Sequence, residues 1–157
     1  MRKRIVPRGT QDAVPTEQNW LDLENLAEAE LTSEDASHPI ESALKPGEGS
    51  GWRASESGPQ TVRLLFVKPL RVRRIHLVFQ KDELDRTHEF VLRWSSDGGQ
   101  SYREIVRQQY NFSFPHNTLE IEDYAVDLDG LTALELSIVP DISGGLARAS
   151  VARLCLA

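Results

Sequence analysis

Residues 88–108 read HEFVLRWSSDGGQSYREIVRQ, and the fold follows from how this stretch alternates. Phe90, Leu92 and Trp94 alternate with Glu89, Val91, Arg93 and Ser95, the two-residue period of a strand with one buried face. Asp97-Gly98-Gly99 then supplies the left-handed residues that a tight reversal needs. A return strand over residues 102–108 has Tyr102, Ile105 and Val106 as its apolar positions. That spacing breaks strict alternation, as a bulge does. The stretch is a β-hairpin, and its register places Trp94 in the core.

Working outward, the same period recurs. Val62, Leu64 and Phe66 share one face of residues 61–66. Residues 67–72, with Lys68-Pro69, read as a turn. Residues 73–79 put Ile75, Leu77 and Phe79 inward and His76 outward. Tyr124, Val126 and Leu128 mark a strand closed by Asp129-Gly130. Leu134, Leu136 and Ile138 mark another, closed by Pro140-Asp141 and Ser143-Gly144-Gly145, and residues 148–156 form the last. Upstream, residues 20–26 fit a short turn or helix, followed by a strand over about 27–33. Residues 34–59 hold no period and read as a long loop, pinned by Ile40, Ala43 and Leu44 and ending at Trp52. About eight short strands with turn chemistry between them predict an all-β, antiparallel β-sandwich or jelly roll. It occupies residues 19–157 as one domain, and residues 1–18 read as a mobile tail.

Composition narrows the function. A chain of 157 residues is the size of one domain with a real core. A net charge of −6 argues against a nucleic-acid partner. No apolar run is long enough to cross a bilayer. The start, MRKRIVPRG, lacks the apolar centre of a secretory signal, which predicts a cytoplasmic address. Cys155 is the single cysteine; it excludes an internal disulfide and reads as a small buried hydrophobe. His38, His76, His88 and His116 show no ligand spacing, so no structural zinc is expected. Nucleophile-elbow, zinc-protease and phosphate-loop motifs are all missing, so the expectation is a protein that is not an enzyme. The cluster Arg63, Arg71, Arg73 and Arg74 reads as a solvated sheet face.

The order of these features resembles the discoidin, or coagulation-factor type C, family of galactose-binding-like jelly rolls. The matching pieces are Thr32-Ser33-Glu34-Asp35 before a proline-containing loop, Gly51-Trp52-Arg53 closing it, and residues 60–66 and 74–79. The hairpin over 90–102, with its strand, Ser-x-Asp-Gly and following aromatic, carries most of the likeness. Residues 134–140 and 151–156 resemble the closing strands. The resemblance implies a binding module whose ligand is a sugar, lipid or protein. Two departures stand out. Many relatives join the domain's ends by a disulfide, which this chain cannot form. The Asp-Gly-Asp expected at the family's calcium site is absent, so no cofactor is expected and a structural calcium has no support here.

Strand reversal locates a site without the family. Every second connection emerges at the same end of a sandwich, which groups residues 47–59, 80–87, 110–121 and 141–147. The tight turns at 67–72, 96–101 and 129–131 fall at the other end. The first end is long-looped and chemically rich, as binding ends are. Its candidate ligand-binding residues are Trp52, Arg53, Arg86, His88, Tyr110, Asn111, Phe112 and His116. Phe114 is a further stacking surface, and Asp82, Glu83, Asp85 and Asp141 are acceptors. Sugars need this mixture of aromatic plane and fixed polar groups. The structural readings stand beside it: Trp52 as a plug under the long loop, Phe112 or Phe114 as a cap, His88 as a satisfied rim histidine. Two functions follow, a carbohydrate-binding module using this rim, or a cytoplasmic protein–protein interaction module on the same scaffold.

Overall fold

The structure, a computed structural model, describes residues 20–47, 49–80 and 85–157. The tail expected over residues 1–18 and the positions Asp82 and Glu83 lie outside them. The element order is α1 (Leu23–Leu26), β1 (Ala27–Leu31), α2 (Glu41–Leu44), β2 (Trp52–Ser57), β3 (Gln60–Gln80), β4 (Arg86–Ser95), β5 (Arg103–Phe112), β6 (Leu119–Val139), β7 (Arg148–Val151) and β8 (Arg153–Leu156). All strand pairs are antiparallel, and the architecture is a β-sandwich jelly roll.

Two strands of 21 residues each, β3 and β6, organise it. They pair along their whole length, from Gln60 opposite Ile138 to Gln80 opposite Leu119. The ladder slips three times between Leu65 and Arg74, and bulges of this kind bend a strand. The ribbon therefore doubles over and contributes to both layers. Phe79 shows the fold-over directly. It lies at the far end of β3 from Gln60, yet its ring sits 4.9 Å from Phe90, whose partner on β6 is Ile138. The first layer runs β1-β3-β6-β4-β5, and β8 pairs the second half of β3 to complete the other. β2 and β7 make a separate ribbon.

The alternating apolar positions fill the space between the layers. Leu64, Ile75, Leu77, Phe79, Phe90, Leu92, Leu134, Leu136 and Ile138 are fully buried, each side chain contributing about 1.5–3 kcal/mol by leaving water. Cys155 is also buried, but opposite His76 on the other face of β8 from Leu154 and Leu156. The hairpin reversal is held by Asp97, whose carboxylate accepts from Ser95 Oγ at 2.6 Å, Ser101 N at 2.9 Å and Ser101 Oγ at 2.5 Å. Gly98 and Gly99 have φ of 75° and 89°, which side chains bearing Cβ rarely adopt.

Several expectations change. Residues 67–72 and Asp129-Gly130 do not end strands; they are the bulged bend through which β3 and β6 continue. The loop expected over 34–59 contains α2 and β2. Gly51 lets β2 approach β7, because a Cβ there would meet Val151 O at 2.4 Å. The return strand begins at Arg103 rather than Tyr102. Its bulge is real: Leu92 pairs Val106 and Arg93 pairs Glu104, leaving Ile105 over. Trp94 is only partly buried, since it sits at the strand end with the Arg103 guanidinium over its ring. His76 points outward as expected but is covered by Trp20 and bonded to Asp123.

Candidate binding rim

Because β3 and β6 double over, the ends of both strands meet at one end of the sandwich. The described parts of the four long connections join there. Phe114 N donates to Asp85 Oδ1 at 2.7 Å, and Ile142 N to Thr87 O at 2.9 Å. Gly58 N donates to Ala147 O at 3.1 Å, and Arg86 Nη2 to Arg148 O at 3.4 Å. The tight turns meet at the opposite end, where Gly98 N donates to Thr132 Oγ1 at 2.9 Å.

The loop over residues 113–118 joins β5 to β6. Ser113 and Asn117 exchange backbone bonds of 2.9 and 2.7 Å at its base. Asn117 Nδ2 donates to Asn111 O at 2.8 Å, and Thr87 Oγ1 donates to Asn111 Oδ1. Tyr110 Oη reaches Asn117 Oδ1 at 2.6 Å and Leu119 O at 2.9 Å. The loop is thus fixed from below, which spares a ligand the entropy of ordering it.

The candidates separate into rim and support. Trp52, His88 and Phe112 are buried at 1%, 0% and 2% exposure, so they hold the rim up and offer a ligand no surface. Trp52 pairs with buried Val151, and His88 packs against Phe79, Phe90 and Phe112. Tyr110 is half-buried with its hydroxyl engaged. Arg53 pairs Ser150 on the β2–β7 ribbon, and its backbone bonds run to Asp35 and His38. Arg86, Asn111 and His116 remain at the rim with Asp85 and Asp141. Ser143 hydroxyl and backbone bonds, aided by the charge of Arg86, hold the Asp141 carboxyl below its usual range. Among the four aromatic candidates, Phe114 alone is exposed, at 58%. Ile142 and Leu146 add exposed apolar side chains, at 50% and 89%.

Directly beneath lies a polar cluster that the sequence reading passed over. His88 Nε2 and Glu120 Oε1 stand 2.6 Å apart, both side chains essentially without solvent. Phe79 and Phe112 box in the imidazole edge-on, at 4.6 and 4.9 Å. Glu122 follows on the same face of β6, then Tyr124, whose hydroxyl donates to Gln108 Oε1 at 3.1 Å. Burial raises the Glu120 carboxyl above its ordinary range. Burial, then the adjoining Glu120 carboxyl, pushes Glu122 up to about 7. The same desolvation raises the Tyr124 phenol, helped by both carboxylates. The signal was present: Glu120 and Glu122 are in phase with Tyr124, Val126 and Leu128, so they lie on the core face.

A groove of about 360 Å³ between α1, α2 and β1 shares no residue with the rim. Among the described residues no group of His, Cys, Asp and Glu is placed to hold a metal ion. No helix among them is long and apolar enough to cross a membrane.

No family model matches the chain, and no curated protein matches it in sequence. Solved structures do match in fold. One is a family 32 carbohydrate-binding module of NanJ from Clostridium perfringens, in complex with galactose. It has 15% identity and a TM-score of 0.63, over 87% of this chain and 96% of that one. Another is the module CpGH89CBM32-5, also from Clostridium perfringens, in complex with GalNAc-β-1,3-galactose, with 19% identity and a TM-score of 0.65 over 88% and 99%. A third is the module of AlyQ in complex with 4,5-unsaturated mannuronic acid, with 15% identity and a TM-score of 0.60 over 84% and 95%. At such identities what is shared is the fold, an antiparallel β-sandwich jelly roll.

Proposed function

We propose that the chain is a non-catalytic carbohydrate-binding module that takes a sugar at the loop rim. The observation that carries this reading is Phe114, the one exposed aromatic among the candidates, on a loop pinned by Asp85, Asn111 and Tyr110. An exposed ring offers the apolar plane on which the C–H face of a pyranose stacks. Arg86, Asn111, His116, Asp85 and Asp141 supply donors and acceptors around it. The likeness in fold to modules that hold galactose and other sugars supports the same reading.

The test is a glycan array on the purified chain, followed by calorimetry with galactose and GalNAc-β-1,3-galactose. Phe114→Ala should weaken binding by about tenfold or more while the melting temperature stays within about 3 °C, as expected when a surface side chain is lost. A chain that binds no glycan, or a Phe114→Ala variant that binds like the parent, refutes the reading.

Ile142 and Leu146 favour a second reading, a protein partner on the same rim, because exposed apolar side chains at loop tips suit a macromolecular contact. Replacing both by serine should leave a sugar site intact and abolish a protein site.

A further inference from the structure

The buried cluster under the rim has an unusual shortage. Glu120 Oε2 and Glu122 Oε2 are buried with no hydrogen-bond partner among the described residues. Both are acceptors when ionised, and buried acceptors without donors are costly. A proton held between the two carboxyls is the missing donor, as it is wherever two buried carboxylates adjoin. With that proton the two carboxyls are satisfied. Without it, two neighbouring negative charges share one buried site beside the imidazole of His88.

The cluster is also wired to the rim. Glu120 follows Leu119, whose carbonyl meets the Tyr110 hydroxyl that holds Asn117. The His88 ring packs on Phe112, next in the chain to Asn111, the acceptor for both Thr87 and Asn117. We propose that the His88–Glu120–Glu122 cluster is a proton-operated latch for the 113–118 loop, closed while it shares a proton and released when that proton leaves to water. Resting on the rim reading above, it makes sugar binding weaken in alkali. Glu120 and Glu122 thereby act as positioning residues, below the ligand and out of contact with it.

Among the described residues, few groups face the cluster. β3 contributes Phe79, β4 His88 and Phe90, β5 Gln108, Tyr110 and Phe112, and β6 adds Tyr124 to the two glutamates. Among the described residues, the charged and titratable groups of the rim above include Asp85, Arg86, His116, Asp141 and Arg148. The raised Glu122 carboxyl, at about 7, sets the midpoint and the sign: closed below neutrality, released above it.

The test follows the backbone amide shifts of Ser113 and Asn117 by NMR between about pH 5 and pH 9, spanning that midpoint, in the full chain. Wild type and His116→Asn should titrate with a midpoint near 7, and Glu122→Gln should be flat. An unchanged titration in Glu122→Gln, or its loss in His116→Asn, overturns the latch. If Glu122→Gln does not fold, infrared spectroscopy of wild type decides. A buried protonated carboxyl band that vanishes in step with the loop shifts supports the latch, and its absence at about pH 6, below the midpoint, overturns it. In the sugar arm, galactose affinity should fall about fivefold or more across the midpoint in wild type and stay level in Glu122→Gln. A loop that titrates as predicted in a chain that binds galactose at no pH sustains the latch and refutes the rim reading instead.

Discussion

Glu135→Gln tests whether the outer face of the first layer is held by charge. Glu135 lies on β6 directly opposite Arg63 on β3 and Arg93 on β4. Its carboxylate accepts from Arg63 Nε at 2.8 Å and Arg93 Nη1 at 3.1 Å while its side chain is only 9% exposed. Hydrogen bonds to charged groups contribute about 1.5–3 kcal/mol each when sheltered. Here the arginines are 45% and 31% exposed, so water screens part of that gain. About 1 kcal/mol per bond survives such screening, between the values for surface and buried pairs. Glutamine keeps the shape but aims a neutral amide at two guanidiniums, so the loss should be about 2 kcal/mol, or roughly 6 °C in melting temperature for a chain this size. Urea unfolding of parent and variant at low salt measures it, and about 1 M sodium chloride should shrink the difference without removing it. An Arg93→Met partner completes a double-mutant cycle, with coupling of about 0.5 kcal/mol or more expected between touching groups. A Glu135→Gln variant within about 0.5 kcal/mol of the parent at low salt would show that the arginines are solvated and the row does not hold the sheet.

Two further outcomes follow from the core and the hairpin. Trp52→Ala empties a fully buried site and should cost about 3–5 kcal/mol, whereas Trp94→Ala, at a half-open strand end beside Arg103, should cost less than half of that; equal losses by urea unfolding would contradict the burial described. Hydrogen bonds from Ser101 and Ser95 hold the Asp97 carboxyl well below the usual range, so its contribution is present above the unfolded-chain value near 3.8 and lost as pH falls through the folded one. Asp97→Asn should therefore melt lower than the parent at neutral pH, with the gap closing in strong acid, and a gap that widens in acid would reverse the sign.

What was legible in the chain was whatever neighbours in sequence decide. Alternation around Phe90 and the Asp97-Gly98-Gly99 reversal specify the hairpin locally, and the broken spacing at Ile105 betrays its bulge. The bend was not legible. Lys68-Pro69 carries the signs of a turn, yet proline is also tolerated at a bulge, where its missing N–H costs no ladder bond. Which of the two it is depends on β6, more than fifty residues on. The site divides in the same way. The register of His88 with Phe90 places its side chain inward, but its closure depends on Glu120, which is 32 positions distant. Glu120 itself was hidden because a strand read from its apolar residues starts at Tyr124, four positions late. Phe114 was visible as an aromatic on a loop; that it, rather than Phe112, meets solvent follows from β5 running through Phe112 before the loop begins.

The doubled ribbon makes the rim a pair of calliper tips. β3 and β6 both start and finish there, and the pivot is the slipped ladder between Leu65 and Arg74 at the opposite end. The distance between loops carried by the first layer and loops carried by the second is therefore fixed at the pivot, almost a strand's length from any contact residue. Adding or removing one residue in that slip would shift the Gln60 end of β3 against its Gln80 end, with no residue at the rim changed in identity. A lineage built on this fold can in this way respace its rim loops through changes that never touch the rim.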